Sequence, residues 1–84
     1  MIQETSIEAF YDLLPSLNEM HRMFYNLLKV YPGCSNHDLS RISGKPINTV
    51  TPRVNELRKK GLVVFSHTKT DRITKRRVMC WVVA

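Results

Sequence analysis

Residues 47–64 read INTVTPRVNELRKKGLVV. Val50, Val54 and Leu57 recur at the three- and four-residue spacing of an amphipathic helix, with Ile47 near its start. Arg58, Lys59 and Lys60 place positive charge where the carbonyl end of a helix favours it. Gly61 ends the run and an apolar strand follows at once. Pro52 conflicts with a regular helix, because an interior proline removes a backbone hydrogen bond at a cost of about 3 kcal/mol. The conflict eases if the helix begins at Asn48 or Thr49, either of which can cap it. The helix is therefore expected at about 48–60, with Pro52 in or next to its first turn.

Upstream, three more helices are expected. Ser6 can cap a first helix at about 6–14 that carries Ile7, Phe10, Tyr11 and Leu14 on one stripe and is stopped by Pro15. Ser16 and Glu19 form a capping-box pattern before a second, whose stripe is Leu17, Met20, Phe24, Leu27, Leu28 and Tyr31. Ser35 and Asp38 repeat that pattern before a short third helix with Leu39 and Ile42 on its buried side. Ser43-Gly44-Lys45-Pro46 is a turn of the length that joins two helices of a helix-turn-helix.

Downstream, residues 62–67 read as a strand, 68–77 (TKTDRITKRR) as a polar, basic loop, and 78–84 as a second strand. The last strand is apolar on both faces, so a covering element is expected over it, either the first helix or a second protomer. The order of elements gives a mainly α fold with a small β-hairpin wing, a winged helix-turn-helix. It is expected as one domain over residues 1–84, with the N-terminal helix at 6–14 and the core at 16–84.

Charge points to the partner. The formal net charge is +6 and unevenly spread: residues 1–40 carry two basic and five acidic side chains, residues 41–84 eleven basic and two acidic. A half that positive attracts polyanions, of which nucleic acid is the commonest inside cells. Eighty-four residues leave a thin core and little room for a catalytic cleft, so no enzyme is expected. Two distant cysteines give no disulfide framework. The absence of a signal peptide or membrane-length apolar run predicts a cytoplasmic protein.

From Gly33 to Val64 the chain resembles the DNA-binding core of MarR-like regulators, whose helix commonly reads T-V-[ST] followed by leucine and K-x-G-L-V. Thr49-Val50-Thr51 and Leu57-Arg58-Lys59-Lys60-Gly61-Leu62-Val63 carry the likeness. Over roughly residues 5–83 it is similar to small phage and prophage winged-helix proteins. Those share the phrase N-T-V-T-P-R-x-N-E-L (Asn48 to Leu57), the G-L-V strand start, a basic wing and a C-terminal tryptophan, here Trp81. The resemblance implies a DNA-binding regulator of phage or prophage origin in a bacterial cell. MarR-like proteins dimerise through helices on both sides of the core, and their ligand pocket lies near that interface, so no small-molecule effector is carried over. Pro52 stands where arginine is common in MarR-like helices.

The major groove of DNA admits one α-helix, and Asn and Arg read adenine and guanine edges while Thr contacts bases or phosphates. On the helix at about 48–60, Asn48, Thr49, Thr51, Arg53 and Asn55 are the expected groove residues, with Arg58 and Lys59 toward the backbone. Lys69, Arg72, Lys75, Arg76 and Arg77 in the wing are the expected phosphate contacts; Lys45 in the turn and Arg41 near the end of the third helix are weaker candidates. No metal or cofactor is expected: Cys34 and His37 have C-x-x-H spacing but no second paired motif, and Gly33, Gly44 and Gly61 are isolated. Trp81, on an apolar strand, is expected to be packed.

These residues predict sequence-selective binding of double-stranded DNA by a transcription regulator, with a homodimer through the N-terminal helix or last strand. The alternatives are a replication or recombination accessory factor, and a protein–protein adaptor using the same fold. RNA is disfavoured because the deep, narrow A-form major groove does not accept a helix.

Overall fold

The computed structural model describes residues 17–84; the expected first helix at 6–14, Pro15 and the cap at Ser16 lie outside them. The elements run α1 (Glu19–Val30), β1 (Cys34–Ser35), α2 (Asn36–Ser43), α3 (Ile47–Lys59), β2 (Val63–Thr70) and β3 (Arg77–Val83). The three strands form an antiparallel sheet in the order β1-β3-β2. A helix-turn-helix followed by a β-hairpin and backed by a third helix is a winged helix-turn-helix, as expected.

Helix α1 is capped by Asn18, whose side chain accepts the His21 N–H at 2.9 Å, while His21 Nδ1 accepts the Asn18 N–H at 3.1 Å. The expected Ser16–Glu19 pattern is thus displaced by two residues. At α2 the expected capping box forms, with Ser35 Oγ accepting from Asp38 N–H and Asp38 Oδ2 from Ser35 N–H, both at 3.1 Å. Gly44, left-handed at φ 74°, ends α2 and turns the chain. The turn is held by Ser40 Oγ–H donating to the Lys45 carbonyl at 2.6 Å.

Helix α3 departs from expectation at its start. It begins at Ile47 with Pro46 in the capping position and no side-chain cap, so neither Asn48 nor Thr49 caps it. Pro52 consequently lies in the second turn, where it has no N–H for the Asn48 carbonyl. Core packing outweighs that loss. Val50, Val54 and Leu57 are wholly buried, and each buried aliphatic side chain is worth roughly 1.5–3 kcal/mol.

The core joins Leu17, Phe24, Tyr25 and Leu28 to Leu39, the α3 stripe, Leu62, Val63, Cys34 and Trp81. Two residues expected on buried faces, Ile42 and Tyr31, are exposed. The hairpin strands reach further than expected, leaving only residues 71–76 as the wing tip. β1 was not expected at all: Cys34 pairs with Trp81 and Ser35 with Cys80, so β3 is the central strand. Both faces of β3 are covered at its middle, where neighbouring Cys80 and Trp81 point to opposite faces and both are buried. Among the described residues no helix is long and apolar enough to cross a membrane.

Candidate nucleic-acid interface

On α3 the core stripe faces inward and Asn48, Pro52, Asn55, Arg58 and Lys59 are exposed, with Thr49, Thr51 and Arg53 half-buried at the flanks. Asn48 and Asn55 thus present amides that can bind two groups on a base edge. Several other expected contacts have partners within the chain. Arg53 pairs with Glu56 at 3.2 Å, one turn on. The Arg58 guanidinium lies 4.4 Å from the centroid of the Trp81 ring, a cation–π contact. Thr51 Oγ1 accepts from Asn36 Nδ2 at 3.4 Å.

Glu56 also ties α3 to α1. His21 is buried, and its Nδ1 is occupied as an acceptor, so its Nε2 carries the hydrogen and donates to Glu56 Oε1 at 2.6 Å. That hydrogen bond, helped by Arg53, holds the Glu56 carboxyl below its ordinary pKa. The contact joins α3 to α1 beside the buried Val50, Val54 and Leu57 stripe, which turns Asn48 and Asn55 outward.

The wing is anchored to α2 by two pairs that cross some thirty residues of sequence. The Arg41 guanidinium binds Asp71 through both nitrogens, each at 2.9 Å, and Lys69 Nζ binds Asp38 Oδ2 at 2.5 Å. Asp71 Oδ2 also accepts the backbone N–H groups of Ile73 at 3.1 Å and Thr74 at 2.8 Å. Its side chain is buried at 1% exposure. One carboxylate therefore shapes the tip turn and fastens it to the helix-turn-helix. The Arg41 bonds and those amides hold its pKa far below the usual carboxylate range. Burial pushes Asp38 up, but Lys69 and Ser35 outweigh it and leave its pKa lowered.

The expected wing cations consequently divide. Lys69 is engaged by Asp38 and half-buried. Arg77 donates to Thr68 Oγ1 at 2.6 Å and, at 3.4 Å, to Thr70 Oγ1 across the hairpin. Arg72, Lys75 and Arg76 are exposed and have no ion pair among the described residues; the same holds for Lys59 on α3 and for half-buried Lys45. Lys75 sits at a left-handed φ of 65° in the tip. The sequence reading missed the clamp. Its one signal was Asp71, the sole acid in the basic stretch 68–77.

Trp81 is packed, as expected, at 3% exposure, and its Nε1–H donates to Asn36 Oδ1 at 3.0 Å. Cys34 and Cys80 are buried free thiols whose pKa values are raised by burial. Among the described residues no cluster of His, Cys, Asp or Glu could hold a metal.

A helix with two outward amides, beside a cationic wing tip clamped in place, defines a class of protein suited to a polyanionic partner. The family comparison agrees. Residues 17–64, more than half of the chain, match the model of the winged helix-turn-helix DNA-binding family, and the chain belongs to that family. Neither a curated protein nor a solved structure matched it in the corresponding comparisons.

Proposed function

We propose that this chain binds double-stranded DNA sequence-selectively and regulates transcription, with α3 in the major groove and the wing tip on the flanking backbone. The observation that carries the reading is the division of polar groups. Asn48, Asn55 and Lys59 on α3 and Arg72, Lys75 and Arg76 on the tip remain turned to solvent, while neighbouring cations are engaged internally. Phosphate contacts from the tip supply most of the affinity and the α3 amides most of the selectivity. A phage or prophage origin is proposed on the sequence resemblance alone: the Asn48–Leu57 phrase, the G-L-V strand start, the basic wing and Trp81.

The test is retention of a random-sequence duplex pool across a salt series, with sequencing of what is kept. Five phosphate contacts, from Lys45, Lys59, Arg72, Lys75 and Arg76, give a slope of log K against log salt of about −4.5. That slope with an enriched motif supports a sequence-selective regulator, and a palindromic motif adds a dimer. Retention without enrichment favours an accessory role in replication or recombination. A slope near zero removes the electrostatic basis of the reading.

A further inference from the structure

Beside the first turns of α3 the structure has a groove of about 220 Å³, walled on one side by Ile47 and Thr51 and on the other by Val78 and Met79. Ile47 is 37% and Met79 44% exposed, so each keeps apolar surface turned to solvent. The Asn36 amide, also in the lining, is already engaged at both ends. Asn36 Oδ1 accepts from Trp81 Nε1–H and its Nδ2 donates to Thr51 Oγ1. Ile47, Val78 and Met79, with the edge of Trp81, are therefore the apolar surface on offer, and His37 is a further polar group in the lining.

Cations stand near both walls: Lys45 is in the turn that leads into Ile47, and the Arg77 guanidinium lies on Thr68, the cross-strand partner of Met79. The occupant that fits is an apolar group carried by a polyanion. In the major groove of DNA the base edges offer one such group, the 5-methyl of thymine. Ile47 is the first residue of α3, the part of a recognition helix that approaches base edges.

We propose that this groove takes thymine methyl groups, so that the face formed by Ile47 and Met79 selects T over C beside the hydrogen-bonding readout of Asn48 and Asn55. The inference rests on the DNA-binding reading above. A methyl moved from water into an apolar groove is worth about fourfold in affinity.

The test compares two random duplex pools made alike except that one carries uracil in place of thymine. Adenine–uracil pairs keep every hydrogen-bonding group and lose only the methyl. The wild-type chain is expected to favour the thymine pool about fourfold for each methyl held. Ile47→Ala, Met79→Ala and the double variant change exposed side chains, and should bind both pools alike with an unchanged salt slope. Equal retention of both pools by the wild type overturns the inference and leaves DNA binding standing. A thymine preference that survives in the double variant overturns the assignment to this groove. If neither pool is retained at low salt, the DNA-binding reading falls and the methyl inference with it.

Discussion

Helix α3 and the wing tip are similarly cationic, yet they deploy that charge differently. On α3, Arg53 is paired with Glu56 and Arg58 covers the Trp81 ring, so two of its cations hold the fold together. On the tip, Arg72, Lys75 and Arg76 have no ion pair among the described residues, and the one acid there, Asp71, is turned inward to Arg41. The carboxylates decide the difference. Asp38, Glu56 and Asp71 each take a basic partner from the positive half of the chain, which leaves a smaller and better-defined set of cations for a ligand. A net charge describes the field that draws a polyanion in; it does not say which side chains touch it.

The sharpest way to break this comparison is to neutralise the tip. Arg72→Ala with Arg76→Ala should make the salt slope shallower by about 2 and weaken duplex binding at every sequence alike. Urea denaturation should give a stability within about 0.5 kcal/mol of the parent, because both side chains are exposed. A variant that keeps its slope would place the phosphate contacts elsewhere.

That comparison also marks what could be read from the residues alone. The α3 stripe, the Ser35–Asp38 box and the Gly44 turn are local, each fixed by neighbours within a few positions, and each was legible. The start of α3 was misread because Asn48 and Thr49 are better cappers than Pro46, whereas the Pro46 carbonyl accepts the Thr49 and Val50 N–H groups and opens the helix earlier. β1 has only two residues and exists through its pairing with β3, so no local pattern announces it. The Arg41–Asp71 and Asp38–Lys69 pairs join positions some thirty residues apart, and only the folded hairpin brings them together. For the same reason the sequence could list the wing cations but could not separate Lys69 from Arg72.

A smaller effect is expected at the clamp. Asp71→Asn removes the charge that binds Arg41 and weakens the acceptor for Ile73 and Thr74, so amide exchange at those two residues should rise roughly tenfold. Global stability should move less than tip exchange. The pH dependence follows from the sign of the shift. Asp71 has a depressed pKa in the folded state, so its contribution is complete above the unfolded carboxylate value of about 4 and is lost as pH falls through the folded value below it. Tip exchange in the parent, corrected for intrinsic rates, should therefore stay flat from about pH 8 to about pH 5. A step inside that range would mean that another group holds the tip.

The smallest and most discriminating effect lies between adjacent residues of α3. Arg58→Ala should lower stability by about 0.5–1 kcal/mol, the usual worth of an exposed cation–π contact, with little change in salt slope. Lys59→Ala should do the reverse, leaving stability within about 0.5 kcal/mol and making the slope shallower by about 1. Arg58→Lys then separates charge from stacking. It keeps the cation but gives up the planar group that lies over the indole, so a structural role predicts a stability loss close to that of the alanine variant. A phosphate role predicts that the lysine is silent in both measurements, and that result would move Arg58 from the fold to the interface.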